Sequence, residues 1–218
     1  MTTFPGSPKI LKGGIVLLDP VTIAVQRIIP LQYNPETVQR TLQIQGASEG
    51  GDRSEALRLK GPPTETIKLE AEIDLTDQLE FPDQNPNAGQ VGLHPQLAAL
   101  ETIIYPLATQ LKATDAQAAA GVLEVLAMEA PLTLFIWSQN RIVPVRFTDF
   151  SITEEAFDPS LNPIRAKVSL GMRVLNVYDL GFQDKGGNLY LIYQQQKERL
   201  AGMNAAGSFS TLGIRGIS

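Results

Sequence analysis

Strict alternation of apolar and polar residues is the dominant pattern in this chain, and it predicts β-strands. The clearest case is the stretch 66–75, where apolar residues occupy the odd positions and charged residues occupy the even positions from Lys68 to Asp74. In a strand, such alternation buries one row of side chains and leaves the other row in water. Because the wet row includes Glu70 and Glu72, we expect an exposed, net acidic face.

Strands are also predicted before this stretch. Residues 14–18 and 21–29 are apolar runs on either side of an Asp-Pro pair, which is typical of a turn, so they predict a hairpin or a sharp corner. In residues 38–45 every second position is apolar, except that Arg40 interrupts the apolar row. We therefore expect a third strand with one charged residue on its apolar face.

The same alternation predicts a meander of three antiparallel strands in the second half of the chain. Its strands are expected within residues 132–137, 143–153 and 164–174, with polar turns between them. In the middle strand the apolar positions change from odd to even. Such a change of phase indicates a β-bulge, which we place near residues 148–149.

The spacing of apolar residues by three and four positions, which is typical of helices, occurs in fewer segments than the alternation typical of strands. Residues 93–112 repeat leucine and isoleucine every three or four positions and predict the one strong helix, which Pro106 should kink or end. The Ala-rich residues that follow predict either a second short helix at 113–120 or a helix that continues to Met128. A short helix is also expected at 189–200.

The chain is accordingly divided into three parts. Residues 1–13 are an N-terminal extension, 14–178 form one mainly β domain of the α+β class, and 179–218 hold the C-terminal helix and an extended Gly/Ser-rich tail. Within the domain, 46–63 is interpreted as a long loop or flap and 77–92 as a polar loop. Loops beyond about 12–15 residues are often functional or mobile. We expect the tail to stay disordered or to become ordered only against a partner.

Composition narrows the classes of function. A formal net charge of −5 argues against a protein that follows nucleic-acid phosphates with a basic surface. The absence of cysteine excludes disulfides and thiolate metal sites. No apolar run approaches the length of about 18 residues that a membrane helix needs, and the first residues do not resemble a signal peptide. We expect a cytoplasmic product that does not insert into a membrane and that leaves the cell only by lysis or as part of an assembly.

No residue pattern predicts catalysis. His94 is the only histidine, and a position at a helix start is expected for it, so a zinc site or a serine–histidine–aspartate triad has no support. The Gly-rich stretch 50–54 lacks the Lys-Ser/Thr ending of a phosphate-binding loop. We predict no catalytic residue, no metal and no cofactor.

Two further candidates are given structural interpretations. Glu154, Glu155 and Asp158 offer the paired carboxylates of a glycosidase, but a solvated strand end is the favoured interpretation. Trp137 ends an apolar strand, where core packing with the indole N–H near the rim is expected and sugar stacking is the alternative.

Three short elements carry a resemblance to a known family. They are an aromatic-Asn-Pro element within 29–37, a Phe-x-Trp strand within 130–137 and a Pro-x-Arg-Ala-x-Val strand within 162–168. The residues that form them are Tyr33, Asn34, Pro35, Phe135, Trp137, Pro163, Arg165 and Ala166. In this order, over residues 10–178, the chain resembles the N-terminal domain of the contractile injection system tube protein family. It departs from the pattern at Ser138, where the family usually has glycine, and its tail is too short for the LysM-type module of many members.

The resemblance implies a fold and a role. The fold is that of phage tail tube proteins, an antiparallel two-sheet barrel or sandwich with one flanking α-helix. The role is that of a tube initiator or baseplate adaptor: a homo-hexameric ring that joins the spike hub to the inner tube and contacts other baseplate subunits. Such a ring assembles in the cytoplasm into a phage-tail-like particle, which is either released or membrane-anchored. It uses no nucleic acid and no cofactor.

Other functions remain open from the residues alone. The chain is alternatively a tail tube or tail-completion protein of a contractile phage, which has the same fold in a different ring. A carbohydrate-binding β-sandwich that uses Trp137 is a second alternative, and an enzyme is the third.

Overall fold

The computed structural model describes residues 10–19, 21–46, 58–121, 130–204, 207–215 and 217. In these ranges the chain has seven strands and six short or medium helices, followed by a 3-10 turn. The strands are β1 (Gly14–Leu18), β2 (Val25–Pro30), β3 (Val38–Gln43), β4 (Thr64–Asp74), β5 (Leu132–Ser138), β6 (Arg141–Phe157) and β7 (Pro163–Val174). The helices are α1 (Thr76–Leu79), α2 (Pro86–Val91), α3 (His94–Glu101), α4 (Ala108–Ala119), α5 (Val177–Leu180) and α6 (Lys185–Gly202).

The seven strands form one antiparallel sheet in the order β2-β1-β5-β6-β7-β4-β3. This confirms the predicted mainly β, α+β class. The sheet is open, since β2 and β3 lie at its two edges and do not pair with each other. Within the described residues the sheet does not close into a barrel and no second sheet is present. Several helices accompany the sheet, whereas the resemblance implies one flanking helix. Because direction alternates at each of the six junctions, the two edge strands run the same way.

The predicted hairpin and meander are both present. β1 pairs with β2 across a turn that Asp19 stabilises, its carboxylate accepting the backbone N–H groups of Val21 and Thr22 at 3.0 and 2.7 Å. β5, β6 and β7 pair in sequence. The register between β6 and β7 shifts between Phe147 and Asp149, which confirms the bulge expected from the change of hydrophobic phase.

The main core lies on one face of the sheet, where the apolar rows of the central strands pack against α3 and α6. Ile67, Phe135 and Leu170 contribute from the strands, and Leu97 and Tyr190 contribute from the helices. A smaller cluster of Val16, Leu18 and Leu134 lies on the opposite face of β1 and β5, because successive side chains of a strand alternate between faces.

The segment predicted as a single helix at 93–112 is divided. α3 ends at Glu101, and the hydroxyl of Thr102 donates to the carbonyl of Ala98 at 2.8 Å, so it competes with the backbone at the helix end. Pro106, which has no N–H group, lies in the turn before α4. The predicted polar loop 77–92 also contains α2, which begins at a proline suited to the first helical turn.

Parts of four predictions lie outside the described residues. These are 1–9 of the N-terminal extension, 47–57 of the flap, 122–128 of the alternative helix continuation, and 205–206, 216 and 218 of the C-terminal tail. At the base of the flap Gly46 and Leu59 form an antiparallel bridge, and the N–H of Lys60 donates to the carbonyl of Gln45 at 2.8 Å. This bridge extends the β3–β4 hairpin beyond the sheet.

The C-terminal helix begins at Lys185, earlier than the predicted start at residue 189. The sequence did not indicate this start because the first turn contains two glycines, which have low helix propensity. A Cβ atom on Gly187 would collide with the carbonyl oxygen of Gly181, so close packing against the preceding turn requires glycine there. None of the helices within the described ranges has the length and apolar character needed to span a lipid bilayer.

Candidate assembly surfaces

Asn34 of the aromatic-Asn-Pro element binds the backbone that leads into β1. Its Oδ1 accepts the N–H of Gly13 at 2.9 Å, and its Nδ2 donates to the carbonyl of Leu11 at 2.8 Å. The N–H of Leu31 also donates to the carbonyl of Gly13, at 2.8 Å. The amide side chain of Asn34 thus supplies to Leu11 and Gly13 the backbone hydrogen bonds that a neighbouring strand would otherwise supply. Pro35 follows it half-buried.

The Phe-x-Trp element lies next to this backbone. The rings of Phe135 and Trp137 stack with centroids 6.1 Å apart and an interplanar angle of 22°. A Cβ atom on Gly13 would lie 2.6 Å from Cε3 of Trp137, so the indole packs directly on the backbone that Asn34 holds. The first two elements of the resemblance therefore meet in space. Ser138, at the departure from the pattern, accepts the N–H of Asn140 at 3.2 Å and closes the turn after Trp137.

The third element also connects to the first, through the end of β4. Nε of Arg165 donates to Oδ2 of Asp74 at 2.9 Å. The side chain of Gln32 donates to the carbonyl of Asp74 at 2.6 Å and accepts its N–H at 2.9 Å. Tyr33 and Arg165 line a shallow pocket together with Asp74. Hydrogen bonds from Thr76, aided by Arg165, hold the pKa of Asp74 below its usual value.

The remaining residues of the third element are structural. Pro163 is fully buried, and its carbonyl accepts the N–H of Leu93 at 2.9 Å. Ala166 is buried opposite Ile73 in the apolar row. The elements behind the resemblance thus join the start of β1 to the end of β4 and the start of β7.

The polar face of β4 is balanced in charge, which corrects the expected net acidic face. Neighbouring strands add side chains to the same face: Arg165, Lys167 and Arg173 from β7, and others from β6. Across the three strands the face carries the basic residues Lys68, Arg146, Arg165, Lys167 and Arg173 and the acidic residues Glu70, Glu72, Asp74, Asp149 and Glu155. The sequence of one strand alone does not show which charges its partners supply.

The candidate glycosidase carboxylates are not brought together. Glu154 pairs with Ala166 and Glu155 with Arg165, so successive side chains project to opposite faces of β6. Asp158 is occupied in its own turn, where its carboxylate accepts the N–H groups of Ser160 and Asn162 at 2.7 and 2.8 Å. This geometry gives no acid–base pair.

The other candidates for chemistry are also apart. His94 begins α3 and is exposed, as expected. In the described ranges no group of three or more metal-ligating side chains converges.

A buried ionic cluster, which sequence reasoning missed, joins α6 to the sheet. The carboxylate of Glu65 is 4% exposed and accepts from Nε of Arg40 at 2.7 Å and from Nζ of Lys197 at 3.1 Å. The hydroxyl of Tyr193 donates to Oε1 of Glu65 at 3.1 Å and accepts a hydrogen bond from Nη2 of Arg40 at 3.1 Å. The ammonium of Lys197 lies 4.0 Å from the centre of the Tyr193 ring.

Burial and the charges within the cluster shift the pKa values of Glu65 and Tyr193. Burial works to raise the pKa of Glu65, but Lys197 and Arg40 outweigh it and hold that pKa below its usual value. Burial, with the nearby Glu65 carboxylate, raises the pKa of Tyr193 to about 12. A signal for the cluster exists in the sequence, because Glu65 is in phase with the apolar row that begins at Ile67, and Arg40 interrupts the apolar row of β3.

The two edge strands present apolar side chains to solvent. On β2, Val25 and Ile28 are 59% and 65% exposed, and on β3, Leu42 is 48% exposed. A free edge also leaves backbone N–H and C=O groups without strand partners. Both edges are therefore surfaces at which a further strand can add.

No protein-family model and no curated protein matches the chain.

Proposed function

We propose that this protein is a structural subunit of a contractile injection system and forms an adaptor ring between the spike hub and the inner tube. The observation that carries the proposal is the open seven-stranded sheet with two exposed edge strands. Joining such sheets edge to edge in a ring removes every free edge and generates the closed barrel that one chain lacks.

The direction of the edge strands supports a cyclic arrangement. In a head-to-tail ring, β3 of one subunit meets β2 of the next, and each subunit uses both of its edges. Since β2 and β3 run the same way within the chain, this junction pairs them in parallel. Ile28 and Leu42 then lie on the two strands that form every junction.

Two further features fit the ring. The β3–β4 hairpin continues beyond the sheet through the Gly46–Leu59 bridge, and this projection supports the proposal that the hairpin contacts an adjacent ring. The face formed by β4, β7 and β6 carries five basic and five acidic side chains, and this polarity suits a wall that faces a water-filled lumen.

Sugar binding receives less support than assembly. One face of Trp137 is stacked on Phe135, and its edge lies against Gly13, so the indole is occupied within the fold. A tail tube or tail-completion role shares the ring geometry and is separated from the adaptor role by the neighbouring proteins.

The test begins with the mass of the purified protein in solution and negative-stain images, alone and after co-expression with a spike hub. Rings of about six copies that bind the hub are expected. A chain that stays monomeric in the presence of the hub would contradict the proposal.

Edge variants then test how the copies join. Ile28→Lys blocks β2 and Leu42→Lys blocks β3, because lysine on an edge strand discourages pairing. Neither variant alone should form rings, and a mixture should give only a one-to-one dimer through the two intact edges. Leu161→Lys is the control, since Leu161 is 77% exposed and lies in the turn between β6 and β7, which are interior strands of the sheet. Rings from either edge variant would overturn the edge-to-edge junction.

A further inference from the structure

Leu161 is exposed to solvent in a backbone conformation that disfavours its side chain. It lies in the turn 158–162 between β6 and β7, is 77% exposed and has a φ of 65°. A positive φ strains a bulky residue, and glycine or asparagine is the usual choice in that region. A side chain with so much exposed surface adds little to the core, so the stability of the fold does not account for a leucine here. Strain of this kind is typical of functional positions.

Hydrogen bonds within the turn hold Leu161 in one position. The N–H of Leu161 donates to the carbonyl of Asp158 at 2.9 Å, and the N–H of Asp158 donates to the carbonyl of Asn162 at 3.0 Å. The Asp158 carboxylate also accepts Nδ2 of Asn162 at 2.9 Å. Because the turn is already ordered, little conformational entropy is left to lose when Leu161 binds a partner.

The end of the sheet that carries this turn is acidic. Segment 75–93, which contains α1 and α2, begins and ends beside the turn. The N–H of Leu75 donates to the carbonyl of Ile164 at 3.0 Å, and the N–H of Leu93 donates to the carbonyl of Pro163 at 2.9 Å. Neither the segment nor the turn contains lysine or arginine. The segment exposes three acidic residues: Asp77, Glu80 and Asp83.

An apolar groove with more basic than acidic side chains lies at the other end of β6 and β7. It has a volume of about 940 Å³, and Leu132 and Phe147 are among its apolar walls. Its charged residues are Arg146, Lys185 and Asp184, and none of them forms an ion pair within the described residues. A groove of this size holds several apolar side chains, and its basic residues favour an acidic partner.

The turn does not reach the groove of its own chain. Phe157 directly precedes the turn, and Phe147 lines the groove. The ten residues of β6 from one to the other extend about 33 Å. The acidic end and the groove are therefore both open to other copies of the chain.

We propose that the turn 158–162 of one copy inserts Leu161 into the groove of a second copy. The acidic residues of segment 75–93 then face Arg146 and Lys185. Opposite charges at the two ends favour this head-to-tail contact, whereas two acidic ends repel each other. The contact uses strand ends rather than the edge strands β2 and β3, so it stacks rings and does not close them. The inference goes beyond the adaptor role, since it needs only two copies of the chain.

Leu161→Gly separates the contact from the fold. Glycine tolerates the positive φ, so the variant should resist denaturant as well as the parent chain or better. Head-to-tail association should nevertheless weaken about tenfold or more, because a buried leucine is lost from the contact. Sedimentation at low salt measures this association, and a Leu42→Lys background keeps the β3 edge from closing rings. Unchanged association, or a parent chain that does not associate at all, would overturn the proposal.

Charge reversal tests whether the two ends are partners. One chain carries Glu80→Lys with Asp83→Lys, and the other carries Arg146→Glu with Lys185→Glu. Each should self-associate about tenfold more weakly, because like charges then meet at the contact. Mixing the two chains restores opposite charges at both kinds of contact and should recover an alternating one-to-one assembly. A mixture that associates no better than the separate variants would overturn the pairing of these ends.

Disulfide trapping locates the contact, because the chain has no cysteine of its own. Leu161→Cys and Ile104→Cys, which lies in the groove wall, carry different tags and are mixed under mild oxidation. A disulfide needs Cα atoms within about 7 Å, so a covalent heterodimer is expected if the turn enters the groove. Leu111→Cys on α4 is the matched control, since Leu111 is 48% and Ile104 is 47% exposed. It should trap Leu161→Cys at about tenfold lower yield, because only random collision joins them.

The outcomes separate this contact from the adaptor role. Equal yields from the groove and the control positions would overturn the contact and leave the adaptor function standing if rings still form with the hub. Trapping in the groove without rings would support the contact and contradict the adaptor function.

Discussion

Arg40 on β3 and Glu65 on β4 form a diagonal cross-strand ion pair, with Nε of the guanidinium 2.7 Å from Oε1 of the carboxylate. In the strand register Arg40 lies opposite Ile67, and Glu65 lies opposite Leu42, so both charges occupy apolar rows. The pair is stable there because Lys197 and Tyr193 of α6 satisfy the same carboxylate. One edge strand, its neighbour and the C-terminal helix are thereby joined at a single buried group.

We expect Glu65→Gln to lower the free energy of unfolding by about 2 kcal/mol, as the loss of one charge from a buried pair leaves the other charges uncompensated. The loss stays below that of a fully enclosed pair because Arg40 and Lys197 are 27% and 35% exposed. Chemical denaturation measures the change. Glu70→Gln, on the solvent row of the same strand, is the control and should change stability by less than about 0.5 kcal/mol. Equal effects of the two substitutions would contradict the assigned role of Glu65.

Acid should weaken this cluster in a defined pH window. The folded pKa of Glu65 is lowered below its reference of 4.5, so its contribution is fully present above that value and is lost as the pH falls through the lowered folded pKa. The stability difference between the wild type and Glu65→Gln should therefore shrink between about pH 7 and about pH 3. Denaturation curves at both pH values provide the measurement. A difference that stays constant would show that Glu65 does not ionise as described.

Base should act through Tyr193. Its pKa rises from 10.0 to about 12 in the folded protein, so the unfolded chain loses this proton first and stability falls as the pH rises from 10.0 through about 12. Tyr193→Phe removes this dependence and costs about 1 kcal/mol at neutral pH, because the hydrogen bond to Glu65 is lost. The phenolate absorbance of the wild type minus that of the variant should titrate near 12. A difference that titrates near 10 would mean that the hydroxyl is not buried against the carboxylate.

Local alternation was sufficient to predict most strands, because each strand buries one face. The change of phase in β6 located its bulge, and the Asp-Pro pair located the first hairpin. Contacts between distant segments were not accessible in the same way. The sequence marks Arg40 as an exception but does not show that Glu65 and Lys197, which are 25 and 157 positions away, neutralise it. Whether the sheet closes into a barrel was not predictable either, because closure depends on which strands pair with each other, and alternation within one strand does not name its partner.

The two hydrogen bonds between Asn34 and the backbone before β1 give a further prediction. Asn34→Ala removes a donor and an acceptor at once and should lower the free energy of unfolding by about 1–2 kcal/mol. Amide hydrogen exchange provides a local measurement, because the N–H of Gly13 then has no acceptor and should exchange faster. Amides of β7 serve as the internal control and should keep their rates. Unchanged protection of Gly13 would show that another group holds this backbone.

The contact between Gly13 and the only tryptophan gives a prediction with an optical readout. A Cβ atom in Gly13→Ala would lie 2.6 Å from Cε3 and 2.8 Å from Cζ3 of Trp137. The ring must move to relieve the overlap, and its stack on Phe135 opposes that movement. Overpacking of this kind costs about 1–3 kcal/mol. The emission of Trp137 should shift to longer wavelength as the indole gains contact with water. Gly89→Ala is the matched control, since a Cβ atom there meets no atom within 4 Å, and it should leave the emission unchanged. If both variants emit like the wild type at equal stability, the backbone at Gly13 does not press on the indole, and the link between the aromatic-Asn-Pro and Phe-x-Trp elements is lost.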